Sequence, residues 1–125
     1  LDKDVSASGA RLAVVILTAQ EQVYPDLWEG LRQRYPAMQD KDWDLEQPNR
    51  VVYSILDGGN IPYLDLLPVF RQHVASSREL LHLRHDGHWT SAAERLAGES
   101  LYDFLVQNRL VPVAGAAEAG ATPTP

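Results

Sequence analysis

A continuous run of apolar residues near the start of the chain is the feature that most limits its possible folds. Residues 10–17 read Ala-Arg-Leu-Ala-Val-Val-Ile-Leu, rich in β-branched side chains and without alternation of apolar and polar positions. A strand with one solvent-exposed face alternates, whereas a parallel strand covered on both faces is apolar throughout. We therefore predict that residues 10–17 form a strand of a parallel sheet that helices cover on both faces.

The rest of the chain alternates between helix and strand patterns. The predicted elements are a helix over 23–35, a helix over 50–56, a strand over 61–66, a short helical segment over 67–74 and a long helix over 91–109. For the last helix, Ser91 and Glu94 are predicted to form a capping box. Helices between strands indicate crossovers between parallel strands, so the predicted fold class is α/β.

Two strands are too few for a stable sheet of this kind, because sheets usually contain about four to six strands. We therefore interpret residues 1–110 as the C-terminal half of a domain whose N-terminal half is missing. The absence of a methionine at position 1 agrees with this interpretation. Residues 111–125 consist mainly of Ala, Gly, Pro and Thr, a composition that predicts a disordered tail.

Composition excludes several classes of function. The net charge of −6 and the lack of a basic cluster argue against nucleic acid as a partner. The chain has no cysteine, which excludes disulfides, thiolate metal ligands and a thiol nucleophile. Its longest apolar run, residues 12–17, is far shorter than the roughly 20 residues that cross a bilayer.

The candidate catalytic residues lie in the segment His85-Asp86-Gly87-His88-Trp89. In an extended backbone, residues two apart point to the same side, so the Asp86 carboxylate can reach the His88 imidazole. A carboxylate on one ring nitrogen leaves the other free to act as a general base. Gly87, without a Cβ, permits a tight turn between them.

This segment resembles the closing motif of SGNH (GDSL-type) hydrolases. Residues 61–66, Ile-Pro-Tyr-Leu-Asp-Leu, resemble the strand that precedes the motif in many members, and residues 20–25, Gln-Glu-Gln-Val-Tyr-Pro, resemble a segment seen in some. The family usually spaces its aspartate and histidine by three positions. The two-residue spacing of Asp86 and His88 resembles the branch that contains alginate-acetylation proteins, which leaves the substrate open.

The resemblance implies a partial three-layer α/β/α domain, flavodoxin-like, whose nucleophilic serine belongs to the missing N-terminal half. The intact protein would be a serine esterase or O-acyltransferase acting on an ester-bearing small molecule or carbohydrate, without a cofactor. His88 would be the catalytic base and Asp86 its orienting carboxylate. Trp89 is expected to pack in the core and is a candidate wall of the substrate cleft. Many relatives work in the cell envelope.

Two alternatives remain open. One is a non-catalytic binding or assembly module that keeps the fold without the nucleophile. The other is a metal site, because His82, His85 and His88 recur every third residue with Asp86 among them. In an extended segment, residues three apart face opposite sides, which disfavours the metal site.

The other polar candidates are assigned structural roles. His82 is predicted to alternate along a short strand with Leu81 and Leu83, and His73 is predicted to lie on a solvated helix face. Asp65 lies at the C-terminal end of a predicted strand, where open α/β sheets bind ligands. Its expected role is to turn the chain into the next helix, because this is the commoner role of such a residue.

Overall fold

The computed structural model describes residues 1–112 as a mixed α/β structure. Residues 113–125, which make up most of the predicted tail, lie outside the described part. The elements are α1 (Asp2–Ala7), β1 (Val14–Ile16), α2 (Gln20–Val23), α3 (Pro25–Arg34), a 3-10 turn (Pro36–Met38), α4 (Gln47–Gly58), β2 (Tyr63–Asp65), α5 (Leu66–Ser76) and α6 (Ser91–Gln107).

The sheet of residues 1–112 contains two strands, β1 and β2, which pair in parallel. Val15 lies opposite Leu64 in the register. The predicted α/β class with parallel strands and a helical crossover is therefore confirmed. Both strands are shorter than predicted, because each has a single neighbour in the described part and ladder hydrogen bonds form only along the shared segment.

Alternate residues of the strands contact different helices. Val15 and Leu64 pack against a core cluster that includes residues of α5 and α6. Tyr63, the neighbour of Leu64, instead stacks on Tyr53 of α4, with ring centroids 5.3 Å apart. Successive side chains of a strand point to opposite faces. Side chains of helices therefore cover both faces of this short sheet.

The hydrophobic core lies on the Val15 and Leu64 face. Its buried members come from α2, α5, α6 and two connecting segments: Val23, Tyr24, Leu66, Leu67, Phe70, Leu81, Ala93 and Ala97. Phe70 and Ala93 have no exposed surface. Burying a large apolar side chain contributes about 1.5–3 kcal/mol, so Phe70 is a main anchor between α5 and α6.

The helix predicted over 23–35 is wrong in its first turn, because α2 ends at Val23 and α3 begins at Pro25. Tyr24 between them has extended angles, φ −116° and ψ 102°. A residue before proline is disfavoured in the helical region, and proline itself suits the first position of a helix. The sequence pattern also did not predict α1, which contains no buried residue.

The long last helix begins at Ser91, as predicted, but its cap differs from the prediction. Thr90 is the N-cap residue, and its hydroxyl accepts a hydrogen bond from the Ala93 backbone N–H at 3.3 Å. The predicted Ser91 cap is therefore wrong: Ser91 already has helical geometry, so its side chain cannot occupy the capping position. None of the helices in residues 1–112 combines the length and apolarity needed to span a membrane.

His82 lies in the core, whereas the sequence pattern predicted an alternating strand position. It is 1% exposed and Leu81 beside it is also buried, so the two do not alternate. The ring meets Tyr24 and Phe70 edge-on at 5.9 and 5.8 Å between centroids. Its Nε2 lies 3.5 Å from the Thr18 hydroxyl, and its buried Nδ1 has no hydrogen-bond partner within residues 1–112. Burial lowers the pKa of His82, so the imidazole is neutral in the fold.

This burial predicts a stability that depends on pH. The pKa of His82 is lowered in the folded chain from an unfolded value of about 6.5, so the unfolded chain binds more protons. The contribution of His82 to the free energy of unfolding should be fully present above pH 6.5. Below pH 6.5 the free energy of unfolding should fall, by at most about 1.4 kcal/mol per pH unit from this residue. Urea unfolding at several pH values measures this slope.

His82→Leu should reduce the slope in this window, whereas the matched control His85→Gln, at an exposed position, should keep it. An unchanged slope in His82→Leu would contradict the prediction. Carboxylates with a lowered pKa, such as Asp26, change the free energy of unfolding at lower pH, so they do not affect the slope measured in this window.

Candidate functional site

The segment that carries the candidate catalytic pair is a hairpin loop of residues 84–87. The Leu83 N–H donates to the His88 carbonyl at 2.8 Å, and the Leu83 carbonyl accepts from the Gly87 N–H at 2.8 Å. Beyond the loop, His82 and Trp89 form an antiparallel bridge. Gly87 closes the turn with φ +73°, in the left-handed region that suits glycine.

The structure brings Asp86 and His88 together. Asp86 Oδ2 lies 3.2 Å from His88 Nδ1, and Asp86 Oδ1 accepts the His88 backbone N–H at 3.0 Å. The backbone N–H of His88, and then its imidazole, lower the pKa of Asp86. A charged carboxylate on Nδ1 selects the tautomer with the proton on Nδ1. Nε2 then carries the lone pair that can accept a proton.

The pair lies at the surface of the described chain. The side chains of His88 and Asp86 are 80% and 53% exposed. An exposed Nε2 is accessible to a hydroxyl supplied by another polypeptide segment. This arrangement can therefore perform proton transfer, but the electrophile and the nucleophile must come from outside the pair.

A second group of residues, which the sequence analysis missed, fixes the hairpin to α2 and α3. The Tyr24 hydroxyl accepts the Leu81 N–H at 2.8 Å, and the Arg84 guanidinium lies 5.5 Å from the centroid of the Tyr24 ring. Arg84 also pairs with Asp26 at 2.6 Å, and this contact lowers the pKa of Asp26. The sequence contained little indication of these contacts, because they join residues more than 50 positions apart.

Gln20 connects the hairpin to the carboxyl end of β1. A Cβ added to Gly87 would lie 3.4 Å from the Gln20 side-chain amide carbon, so the two residues are in contact. The Gln20 amide donates to the Glu21 carboxylate at 3.1 Å, and its buried Oε1 has no hydrogen-bond partner among the described residues. The loop that holds Asp86 and His88 therefore rests against the start of α2.

The three histidines of the metal hypothesis lie in different environments. His82 is in the core, whereas His85 and His88 are exposed. Within residues 1–112, no group of three or more potential metal-ligating side chains lies close enough to hold an ion. His73 is partly buried and pairs with Glu79 at 3.2 Å, so the predicted solvated face is only partly correct.

Trp89 packs in the core beside the hairpin. It is half-buried, and its ring centroid lies 5.2 Å from that of Phe70. This position confirms the packing role that the sequence analysis expected. A contact between Trp89 and substrate stays a prediction.

Asp65 has the structural role that its position predicted. It is the N-cap of α5, and its Oδ1 accepts the Leu67 N–H at 2.9 Å. Its carboxylate also accepts from the Tyr53 hydroxyl and, at 3.3 Å, from the Asn49 amide. Burial, and then the Asp65 carboxylate, raise the pKa of Tyr53 to about 12, so the phenol stays protonated and donates. This network ties α4 to β2.

A cavity of about 580 Å³ opens where β1 ends, between the α2 and α3 segment and α4. Two tryptophans line it, Trp28 and Trp43, whose ring centroids lie 5.9 Å apart. Glu21 lines this cavity and also a smaller one of about 250 Å³ that includes His85. The sequence analysis did not predict this cavity.

Gly87 should be required for the hairpin geometry. Gly87→Ala places a Cβ on a left-handed residue, which costs roughly 1–2 kcal/mol, and brings it against Gln20. Gly98→Ala is the matched control, because Gly98 is exposed inside α6 with nothing near its Cβ position, and the substitution should stabilise by roughly 0.5–1 kcal/mol. Chemical denaturation measures both. Equal effects of the same sign would contradict the prediction.

Comparisons of the chain with protein-family models, with curated proteins and with solved structures found no match.

Proposed function

We propose that this chain is the C-terminal half of an SGNH-type serine esterase or O-acyltransferase, in which His88 is the general base. The observation that carries the proposal is the 3.2 Å contact between Asp86 Oδ2 and His88 Nδ1, which leaves Nε2 free and exposed. This is the relation between orienting carboxylate and base that serine acyl transfer needs.

The proposed reaction has two steps. In the first, His88 Nε2 takes the proton of a serine hydroxyl supplied by the N-terminal half, and the serine oxygen attacks the ester carbonyl. The imidazolium then returns its proton to the leaving alcohol, which leaves an acyl-enzyme. In the second, His88 deprotonates water or a sugar hydroxyl, which attacks the acyl-enzyme, and the imidazolium returns the proton to the serine oxygen as its bond to the acyl group breaks. Asp86 stabilises each imidazolium.

The fold supports this proposal. The two strands are parallel, and helical side chains contact both of their faces. We infer that they belong to a three-layer α/β/α sheet whose other strands lie in the N-terminal half. The partner of this chain is then that half of the same domain, and the substrate is an ester-bearing small molecule or carbohydrate, with Trp89 beside the cleft.

The exposure of His88 favours one second candidate, a non-catalytic binding or assembly module of the same fold. Catalytic bases usually lie in clefts, whereas this imidazole is 80% exposed in the described chain. The upstream sequence separates the two candidates. A Gly-Asp-Ser block about one half-domain upstream supports the enzyme, and its absence supports the binding module.

His88→Ala in the full-length protein should reduce ester turnover by several orders of magnitude without loss of folding, because the serine loses its base. Asp86→Asn should have a milder or equal effect. A p-nitrophenyl ester assay measures kcat, and circular dichroism checks the fold. The residues 1–125 alone should show no turnover, because the nucleophile and the oxyanion donors are absent from the proposed half-domain.

His85→Ala is the matched control, since His85 is exposed in the same loop but does not contact Asp86 through a hydrogen bond. It should keep near-normal turnover. Near-normal turnover in His88→Ala would refute the proposed base.

A further inference from the structure

The cavity at the end of β1 has the size and position of a small-molecule site. Its volume of about 580 Å³ lies within the range of about 300–1,000 Å³ that ligand pockets occupy. Ile16 and Leu17, at the carboxyl end of β1, form one side of it. Open α/β sheets bind ligands outside the carboxyl ends of their strands.

The polar side chains around this cavity bond to one another. The Gln22 amide donates to the Leu45 carbonyl at 2.7 Å and to Asn49 Oδ1 at 2.9 Å, while Gln22 Oε1 accepts the Ala19 N–H at 3.0 Å. The Asn49 amide in turn donates to Asp65. These groups are therefore not free to bind the hydroxyls of a sugar, and the lining that remains for a ligand is mainly apolar.

The apolar lining comes from four segments of the fold. It includes Leu17 after β1, Trp28 and Leu31 on α3, Trp43 and Leu45 before α4, and Val52 on α4. Leu17 is 62% exposed, so the entrance side of the cavity is also apolar. A ligand in this position would contact aliphatic and aromatic carbon on several sides.

The charge of the lining restricts the ligand further. Glu21 and Asp44 are the ionisable residues among the described residues that line the cavity, and both are acidic. Asp44 pairs with Arg50, which lowers the pKa of Asp44 and keeps it charged. Negative charge at the rim disfavours a carboxylate or a phosphate. The complementary ligand is an uncharged apolar group.

We propose that this cavity binds the neutral alkyl chain of an acyl ester, which makes the protein selective for esters longer than acetate. This inference rests on the proposed function for its substrate class, and on the cavity alone for its binding site. Gln20 links the two, since it contacts Gly87 of the hairpin while Glu21, the next residue of α2, lines the cavity. The cavity and the Asp86 loop therefore both adjoin the start of α2.

The first experiment measures binding without turnover. The full-length protein and, where circular dichroism shows that they fold alone, residues 1–125 are titrated with 1-hexanol, 1-heptanol and 1-octanol, and with octanoate at pH 8. Tryptophan fluorescence and the Trp43 indole N–H resonance are recorded. This N–H donates to the Met38 carbonyl at 2.9 Å, so its resonance reports on the rim of the cavity. Affinity should rise about fourfold for each added methylene. 1-Octanol should bind at least about tenfold more tightly than octanoate, which corresponds to a difference in binding free energy of about 1.4 kcal/mol.

Two substitutions on α4 locate the binding site. Val52→Phe adds a ring inside the cavity and should weaken 1-octanol binding by about tenfold or more. Ile55→Phe adds the same ring at a position that is 64% exposed and outside the lining, so it should leave binding unchanged. The thermal midpoint of each variant checks the fold. If Val52→Phe unfolds, Trp43→Ala at the exposed rim tests the same contact.

The outcomes separate this inference from the proposed function. No binding of 1-octanol, equal binding of octanoate, or equal effects of Val52→Phe and Ile55→Phe would each overturn the alkyl site. Loss of 1-octanol binding in the full-length protein would also overturn it, because the N-terminal half would then fill the cavity. None of these results depends on His88, whose loss of function is measured by turnover alone.

A second readout uses the full-length enzyme. Val52→Phe should lower kcat/KM for an eight-carbon p-nitrophenyl ester about tenfold while changing that for the acetate ester less than twofold. A parallel loss with both esters would contradict selection by this cavity.

Discussion

The parallel pairing of β1 with β2 is the constraint on which the other features of this structure depend. In a parallel pair, both strands end at the same edge, so the residues that follow each strand meet there. Thr18 and Gln20 follow β1, and Asp65 is the last residue of β2 and the N-cap of α5. This register therefore places Thr18 beside His82, Gln20 beside the hairpin and Asp65 at the start of α5.

The polar side chains of Asp65 and His82 differ in how well their hydrogen-bonding atoms are satisfied. Asp65 accepts hydrogen bonds from Tyr53, Asn49 and the Leu67 backbone, so its carboxylate is well compensated. In the part of the chain that the structure describes, the His82 ring has one long polar contact, to Thr18, and its buried Nδ1 has no hydrogen-bond partner. A buried polar atom without a partner costs about 1–3 kcal/mol. The His82 ring is held by its packing against Tyr24 and Phe70.

Local patterns in the sequence predicted those parts of the structure that depend on interactions between residues close together in the chain. The parallel strands, the last helix and the closeness of Asp86 and His88 followed from β-branched runs, helical spacing and a two-residue separation. The break at Tyr24 was missed and the capping box was placed at Ser91 in place of Thr90, although proline geometry and threonine capping are also local rules. The burial of His82 and the cavity beside Trp43 depend on contacts between segments that are distant in the chain. A pattern within one short segment of the sequence does not reveal such contacts.

The two hydrogen bonds of the Asp86 carboxylate close within three consecutive residues, inside one hairpin turn. The contact between the Asp86 carboxylate and the His88 imidazole therefore depends on the local turn more than on distant segments. Residues 83–88, grafted onto an unrelated antiparallel hairpin, should keep this orientation of the imidazole.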